Sequence, residues 1–157
     1  MKNLELCLFN FFERNDVLFL YDLRRNEKIT PLLIGSPPKN IEQHESWLFK
    51  NTVENKNRLV FLIKKDEKNI GYCQAYNITN THVEVGFVIH PDHQGRGIGT
   101  WTVKSLVEKL KTMGETAGKT VCLYVMRNNL PAVHVYEKLG FKRVNEDIEK
   151  SLIYLEL

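Results

Sequence analysis

The chain has 157 residues, 43% of them hydrophobic and 26% charged, with a formal net charge of +3. That length suits one domain, residues 1–157, around a single sizeable core, and so mild a charge gives no argument for nucleic acid as a partner. There is no apolar run long enough to span a bilayer, so no membrane helix is expected and the cytoplasm is the default location.

Residues 3–9 alternate and read as a first strand. Residues 16–24 read as a helix, with Asp16 at its N-cap and Val17, Leu20 and Leu23 at helical spacing. The cations Arg24 and Arg25 suit the helix C-terminus. Residues 30–39 hold Pro31, Gly35, Pro37 and Pro38 and read as a loop, long enough to serve as a substrate lid. Residues 41–52 predict a second helix capped by Asn40. Residues 58–64, 70–78 and 82–89 then read as three strands of an antiparallel meander, joined by short polar turns. Gly86 inside the third points to a bulge or a close backbone approach.

A helix opens near Gly97, with Val103, Leu106, Val107, Leu110 and Met113 on one stripe and a stop at Gly114. Residues 120–126 form a buried strand. Asn128 or Asn129 caps a last helix with Pro131 in its first turn. Residues 142–144 and 151–157 are the final strands; the last of them, SLIYLEL, is placed either to finish the sheet or to pair across a homodimer. Strand, helix and strand around residues 90–119 imply one parallel pair in a mostly antiparallel α+β sheet. Cys7, Cys73 and Cys122 form no C-x-x-C pair and are expected as reduced, buried thiols.

Residues 83–100, VEVGFVIHPDHQGRGIGT, concentrate the functional signal. An apolar strand runs into a Pro, a glycine-rich turn and a helix. Glycines there permit positive φ and close approach of a ligand to the main chain. The helix start adds unpaired N–H groups and the positive end of its dipole, which suits a phosphate or pyrophosphate. The string fits neither a Walker loop nor the G-x-G-x-x-G fingerprint, since the position three after Gly97 is Thr100.

Ile89-His90-Pro91 followed by Gln94-x-x-Gly97-x-Gly99 resembles the acetyl-CoA pyrophosphate loop of the GCN5-related N-acetyltransferase superfamily. A second block, Asn129-Leu-Pro-Ala132-Val-His-Val-Tyr136-Glu-Lys-Leu-Gly140-Phe141, is similar to that superfamily's N-x-x-A-x-x-x-Y-x-K-x-G-F signature. The resemblance spans nearly the whole chain. It implies a mixed, mostly antiparallel central sheet with helices on both faces, and acetyl-CoA as acyl donor without a metal. On it, the backbone of Gln94, Gly95, Arg96, Gly97, Ile98 and Gly99 holds the pyrophosphate, with Thr100 next in the same turn and Arg96 adding charge. Val88 and Ile89 pair with pantetheine like an added strand, and Asn129 and Ala132 contact it. Tyr136 becomes the general acid that protonates the departing thiolate.

Acetyl transfer needs a neutral amine, so a base must take a proton from the ammonium. Glu84, a carboxylate in an apolar strand, is the first candidate; His82 and His90 are the alternatives. His90 and His93 flank a Pro in a loop with no further ligands evident, which does not favour a metal. Ribosomal-protein acetyltransferases carry a catalytic Glu in the strand before the last helix, where this chain has Tyr124, and that argues against a protein N-terminus as acceptor. Arg25, His44 and Trp47 resemble the acceptor contacts of enzymes that acetylate amino groups on nucleotide-linked sugars. The expected partner is a small-molecule amine. A protein N-terminus, a polyamine or another small amine is the alternative acceptor, and a non-catalytic acyl-CoA-binding module is the alternative function.

Overall fold

The computed structural model describes residues 2–157. β1 (Leu4–Leu8) is followed by α1 (Arg14–Arg25), a short 3-10 turn (Thr30–Leu32), and α2 (Ile41–Leu48), which runs on as a π-helical segment, Phe49–Glu54. β2 (Leu59–Lys65), β3 (Lys68–Tyr76) and β4 (His82–Ile89) come next, then α3 (Ile98–Thr112), β5 (Thr120–Met126), α4 (Leu130–Lys138), β6 (Lys142–Asp147) and β7 (Leu152–Glu156). The strands form one sheet in the order β1-β2-β3-β4-β5-β7-β6. Every pairing is antiparallel except that of β4 with β5, which α3 connects.

Period-two patterning sorts the sheet into two apolar faces. Cys73, Ala75, Val83, Val85 and Leu123 pack under the stripe of α3 formed by Val103, Leu106, Val107 and Leu110, with Val133 and Tyr136 of α4 beside them. Val60, Leu62 and Tyr72 face the other way and are covered by Val17, Leu20 and Leu23 of α1 and Leu48 of α2. Helices therefore lie on both faces. Cys73 and Cys122 are buried and Cys7 is half-buried, all as free thiols. No helix of the described residues is long and apolar enough to cross a membrane.

Several boundaries differ from those the sequence predicts. α1 starts two residues before Asp16: Glu13 holds the N-cap position, and its carbonyl accepts from Asp16 and Val17. Asp16 instead places its charge in the first turn, where the helix dipole favours an anion. Asn40 does cap α2, accepting from the Gln43 N–H at 2.8 Å. α3 ends at Thr112 with Met113 as its C-cap, so Gly114 is the first residue past the cap, and Thr116 folds back and donates its hydroxyl to the Leu110 carbonyl at 2.7 Å. Gly86 makes no bulge, since β3 and β4 stay in register from Tyr76–Glu84 to Gly71–Ile89. The irregularity lies on the other edge of β4. There, pairing with β5 covers only His82–Thr120, Val83–Val121 and Glu84–Cys122.

His44 belongs to this framework. It is 2% exposed, with its ring 5.5 Å from that of Tyr21 on α1. Its Nε2 has no hydrogen-bond partner. Burial, joined by the charge of Arg24 and opposed by a hydrogen bond to the Val17 backbone, lowers its pKa to about 4. The expectation that His44 meets substrate is therefore corrected: it packs α1 against α2 as a neutral imidazole. An unfolded chain binds a proton at this histidine below pH ~6.5, and the fold resists it down to about 4. His44 thus favours the fold fully above that window and loses roughly 2–3 kcal/mol of that support as pH falls through it. Melting curves should show wild type losing stability between pH 6.5 and 4 more steeply than His44→Gln; parallel curves would count against the buried neutral state.

Candidate active site

The glycine turn is a strap followed by a row of free donors. After Ile89 the chain makes one 3-10 turn, Pro91–His93, capped by the His90 ring. Gln94 then donates its side-chain amide to the Ile89 carbonyl at 2.9 Å and its backbone N–H to Pro91 at 3.3 Å. It ties the loop to the strand, so its N–H does not join the anion cradle expected of it. Gly97 sits at the N-cap of α3 with φ of 76°, a left-handed conformation that costs an L-residue energy. Trp101 is the first residue of this helix whose N–H finds a backbone acceptor, the Gly97 carbonyl at 3.1 Å. Among the described residues the six N–H groups of Gly95, Arg96, Gly97, Ile98, Gly99 and Thr100 have none. With the helix dipole behind them they suit a pyrophosphate. The Arg96 side chain is exposed beside them. Gly99 lets α3 seat on β4, since a Cβ there would stand 3.0 Å from the Phe87 ring.

This turn opens into a cleft of about 330 Å³ between β4 and the start of α4. Phe87, Val88 and Ile89 line one side, and Asn129, Pro131, Ala132 and Val135 the other. Asn129 caps α4, accepting from the Ala132 N–H. His90 N–H bonds to the Ile70 carbonyl at 2.8 Å, so Gly71 and Ile89 are a pair whose own polar groups point apart. Ile89, and by alternation Phe87, thus turn their backbone away from β3 toward the gap. Val88 turns its backbone toward β3 and lines the cleft without offering it, a departure from the expectation for Val88.

A second cavity, of about 100 Å³, shares Phe87, Val88, Asn129 and Ala132 with the first. Leu32 and Leu33 of the Pro-rich loop border both. Tyr136 lines the second cavity and is 3% exposed, set edge-on between Phe87 at 5.6 Å and Phe141 at 5.4 Å. Burial, reinforced by Tyr76 and Cys73 nearby, pushes its phenol up, so it stays protonated and able to donate. Tyr76 is raised to about 12, by burial first and then by the Glu84 carboxylate, against the pull of Arg58. Glu84 lies opposite Tyr76 in register, half-buried, and accepts from Asn77 Nδ2 at 3.1 Å. It is behind Tyr76 rather than on the cavity wall.

The other candidates are dispersed. His82 is paired with Glu156 at 3.2 Å and with Thr81 at 2.8 Å. His93 lines the donor cleft with its Nδ1 buried and unpartnered; burial first, then Arg96, lowers its pKa. Among the described residues no three His, Cys, Asp or Glu side chains converge as a metal site. Arg25 is exposed, with its guanidinium over the Tyr21 ring. Its neighbour Arg24 is the arginine that lines the second cavity. Trp47 lies under Arg58 at 4.8 Å and Arg24 at 5.9 Å. Sequence reasoning misses Arg24, Tyr72, Gln74 and Tyr76 as cavity residues, and Arg58 as the guanidinium that bonds to Gln74 behind them. The alternation Tyr72-x-Gln74-x-Tyr76, polar on the face opposite Cys73 and Ala75, is the available signal.

The family model described as the acetyltransferase (GNAT) family matches residues 20–141. The chain belongs to this family. It is an acetyl-CoA-dependent N-acetyltransferase. It is 27% identical over 144 residues to spermidine N(1)-acetyltransferase of Vibrio cholerae, covering 90% of this chain and 82% of that one. It is 28% identical over 143 residues to acetyltransferase PseH of Campylobacter jejuni, covering 88% and 85%. The fold matches a crystal structure of the Vibrio cholerae spermidine N-acetyltransferase in complex with CoA and spermine with a TM-score of 0.85, at 23% identity, over 99% of this chain and 94% of that one. That match extends over the whole mixed sheet described above.

The turn geometry predicts that Gly97→Ala, which must strain a φ of 76° or re-aim the N–H row, weakens CoA binding tenfold or more in calorimetric titration while the protein still melts cooperatively. Wild-type affinity in that variant would remove the row from the binding site.

Proposed function

We propose that residues 1–157 act as one domain that transfers acetyl to the primary amine of a small molecule by direct attack in a ternary complex. One observation carries this reading: the donor cleft and the second cavity meet at Phe87, Val88, Asn129 and Ala132, where β4 has left β5. Bound acetyl-CoA supplies the acetyl group as a thioester. The N–H row Gly95–Thr100 holds the pyrophosphate and Arg96 adds charge at the mouth. Ile89 and Phe87 offer the backbone groups for pantetheine, with Val88, Asn129 and Ala132 as the walls. Glu84, reached through the Tyr76 side of the cavity, takes the proton from the incoming ammonium. Tyr136 keeps its proton on Oη for the leaving sulfur, and its raised pKa keeps it in that form.

Two acceptor classes come forward. A polyamine is supported by the similarity to a spermidine N(1)-acetyltransferase. An amino group on a nucleotide-linked sugar is supported by Trp47 and the arginines that stand over it. Identities of 27% and 28% to differently named relatives do not choose between them.

Tyr136→Phe should lower kcat by roughly 10²-fold or more, the scale of a general acid, while CoA affinity stays within about twofold. Unchanged turnover would take Tyr136 out of the mechanism. The kcat/KM of wild type should rise with pH as the base loses its proton. It should show no alkaline fall from Tyr136 up to pH ~10, because that phenol is displaced upward. In Glu84→Gln the rise should flatten or move; a superimposable curve would leave Glu84 with a structural role.

A further inference from the structure

The second cavity carries a guanidinium on its wall with no carboxylate there among the described residues. Arg24, at the end of α1, lines it and donates to the Tyr72 hydroxyl at 3.3 Å. Arg58, just before β2, donates to the Gln74 side chain at 2.6 Å and lies over the Tyr76 ring at 4.3 Å. Both guanidiniums stand over the one indole of Trp47. Among the described residues neither pairs with a carboxylate, whereas Arg14, Arg127 and Arg143 all do. Arg58 Nε is buried without a partner. Among the described residues no Asp or Glu lines the cavity. Glu84 is behind Tyr76 and engaged by Asn77, and reaches Arg58 only as a minor electrostatic influence.

Half-buried cations without a counter-ion are costly. A guanidinium on the cavity wall, with a second against the same indole and polar residues holding both, matches the planar anions that such groups bind. We infer that the acceptor bears a carboxylate or phosphate at a distance from its amine, and that Arg24, supported by Arg58, binds that anion. The inference rests on the small-amine reading above and narrows it. It also sets this chain apart from the polyamine class: a second ammonium entering here would meet two cations and no carboxylate on the wall. The amine end belongs near Tyr136 on α4 and the anion end near Arg24 and Tyr72 on β3.

The test is a matched series read by CoA thiol release: β-alanine, aminopropyl phosphate, propylamine and diaminopropane, then ε-aminocaproate, hexylamine and diaminohexane. An anionic amine should exceed the neutral amine of equal length in kcat/KM by tenfold or more, and the diamine should be poorest. Comparing the carboxylate and phosphate arms identifies which anion is preferred. In Arg24→Gln the ratio of anionic to neutral amine should fall to within about threefold of one, with partial recovery in Arg24→Lys. A diamine that outperforms its anionic partner in wild type, or a ratio unmoved in a folded Arg24→Gln, would overturn the inference. If none of the series is acetylated, calorimetry on the CoA-loaded protein decides. Saturable binding of ε-aminocaproate or aminopropyl phosphate, lost in Arg24→Gln, supports it, and no binding of either overturns it. The charge ratio is independent of the roles of Glu84 and Tyr136, so failure of that chemistry is distinguishable from failure of the anion site.

Discussion

The active site is built where the backbone pairing of β4 with β5 stops, at Glu84 and Cys122. Beyond that point β4 continues to Ile89 held by β3 alone, while β5 continues to Met126 held by β7. Backbone groups of Ile89 are left facing a gap, a position that a sheet normally fills with another strand. The gap is kept open by side chains rather than by a bulge. Phe87 packs edge-on to Tyr136 and seats against Gly99. Asn129 fixes the start of α4, and Gln94 pins the glycine turn to the end of β4. One interruption of pairing thus positions the donor cleft, the N–H row and the phenol of Tyr136 together.

The parts of this arrangement that the sequence shows are those that local chemistry encodes. Gly95, Gly97 and Gly99 between an apolar strand and a helix announce a turn with positive φ and a free helix start. Asn129 and Pro131 announce the start of α4. Strand alternation and the α3 stripe are strong enough to give the element order. Boundaries fail where the backbone finds its own cap, as when the Glu13 carbonyl rather than the Asp16 side chain opens α1. Gly86 suggests a bulge because a strand glycine often marks one. The loss of β5 pairing depends on both strands and is invisible in either.

The acceptor side is the least legible because its residues are far apart in the chain. Arg24, Arg58, Trp47 and Tyr76 come from four elements or their ends, and each has an ordinary local explanation. Arg24 and Arg25 look alike as cations at a helix end, yet one turns to the cavity and the other to Tyr21. About a hundred degrees of helix rotation separates them, and only the packing of Val17, Leu20 and Leu23 on the sheet decides which faces inward. His44 shows the converse: a titratable residue at a suggestive spacing is consumed by the contact between two helices.

The charges of the acceptor cavity also bear on the chemistry. A cationic surrounding disfavours an ammonium and lowers the pKa of an amine within it. On the proposed reading, the guanidinium of Arg24, with Arg58 behind it, shifts the acceptor toward the neutral form that attacks, and less is asked of Glu84. Tyr76 stands between these opposing influences, raised by Glu84 and drawn down by Arg58, and remains a phenol near neutrality. It stands between the carboxylate and Arg58, and Glu84 pairs with Asn77 rather than with either arginine. On the proposed reading, that separation by one tyrosine lets a single small cavity both accept a proton and attract an anion.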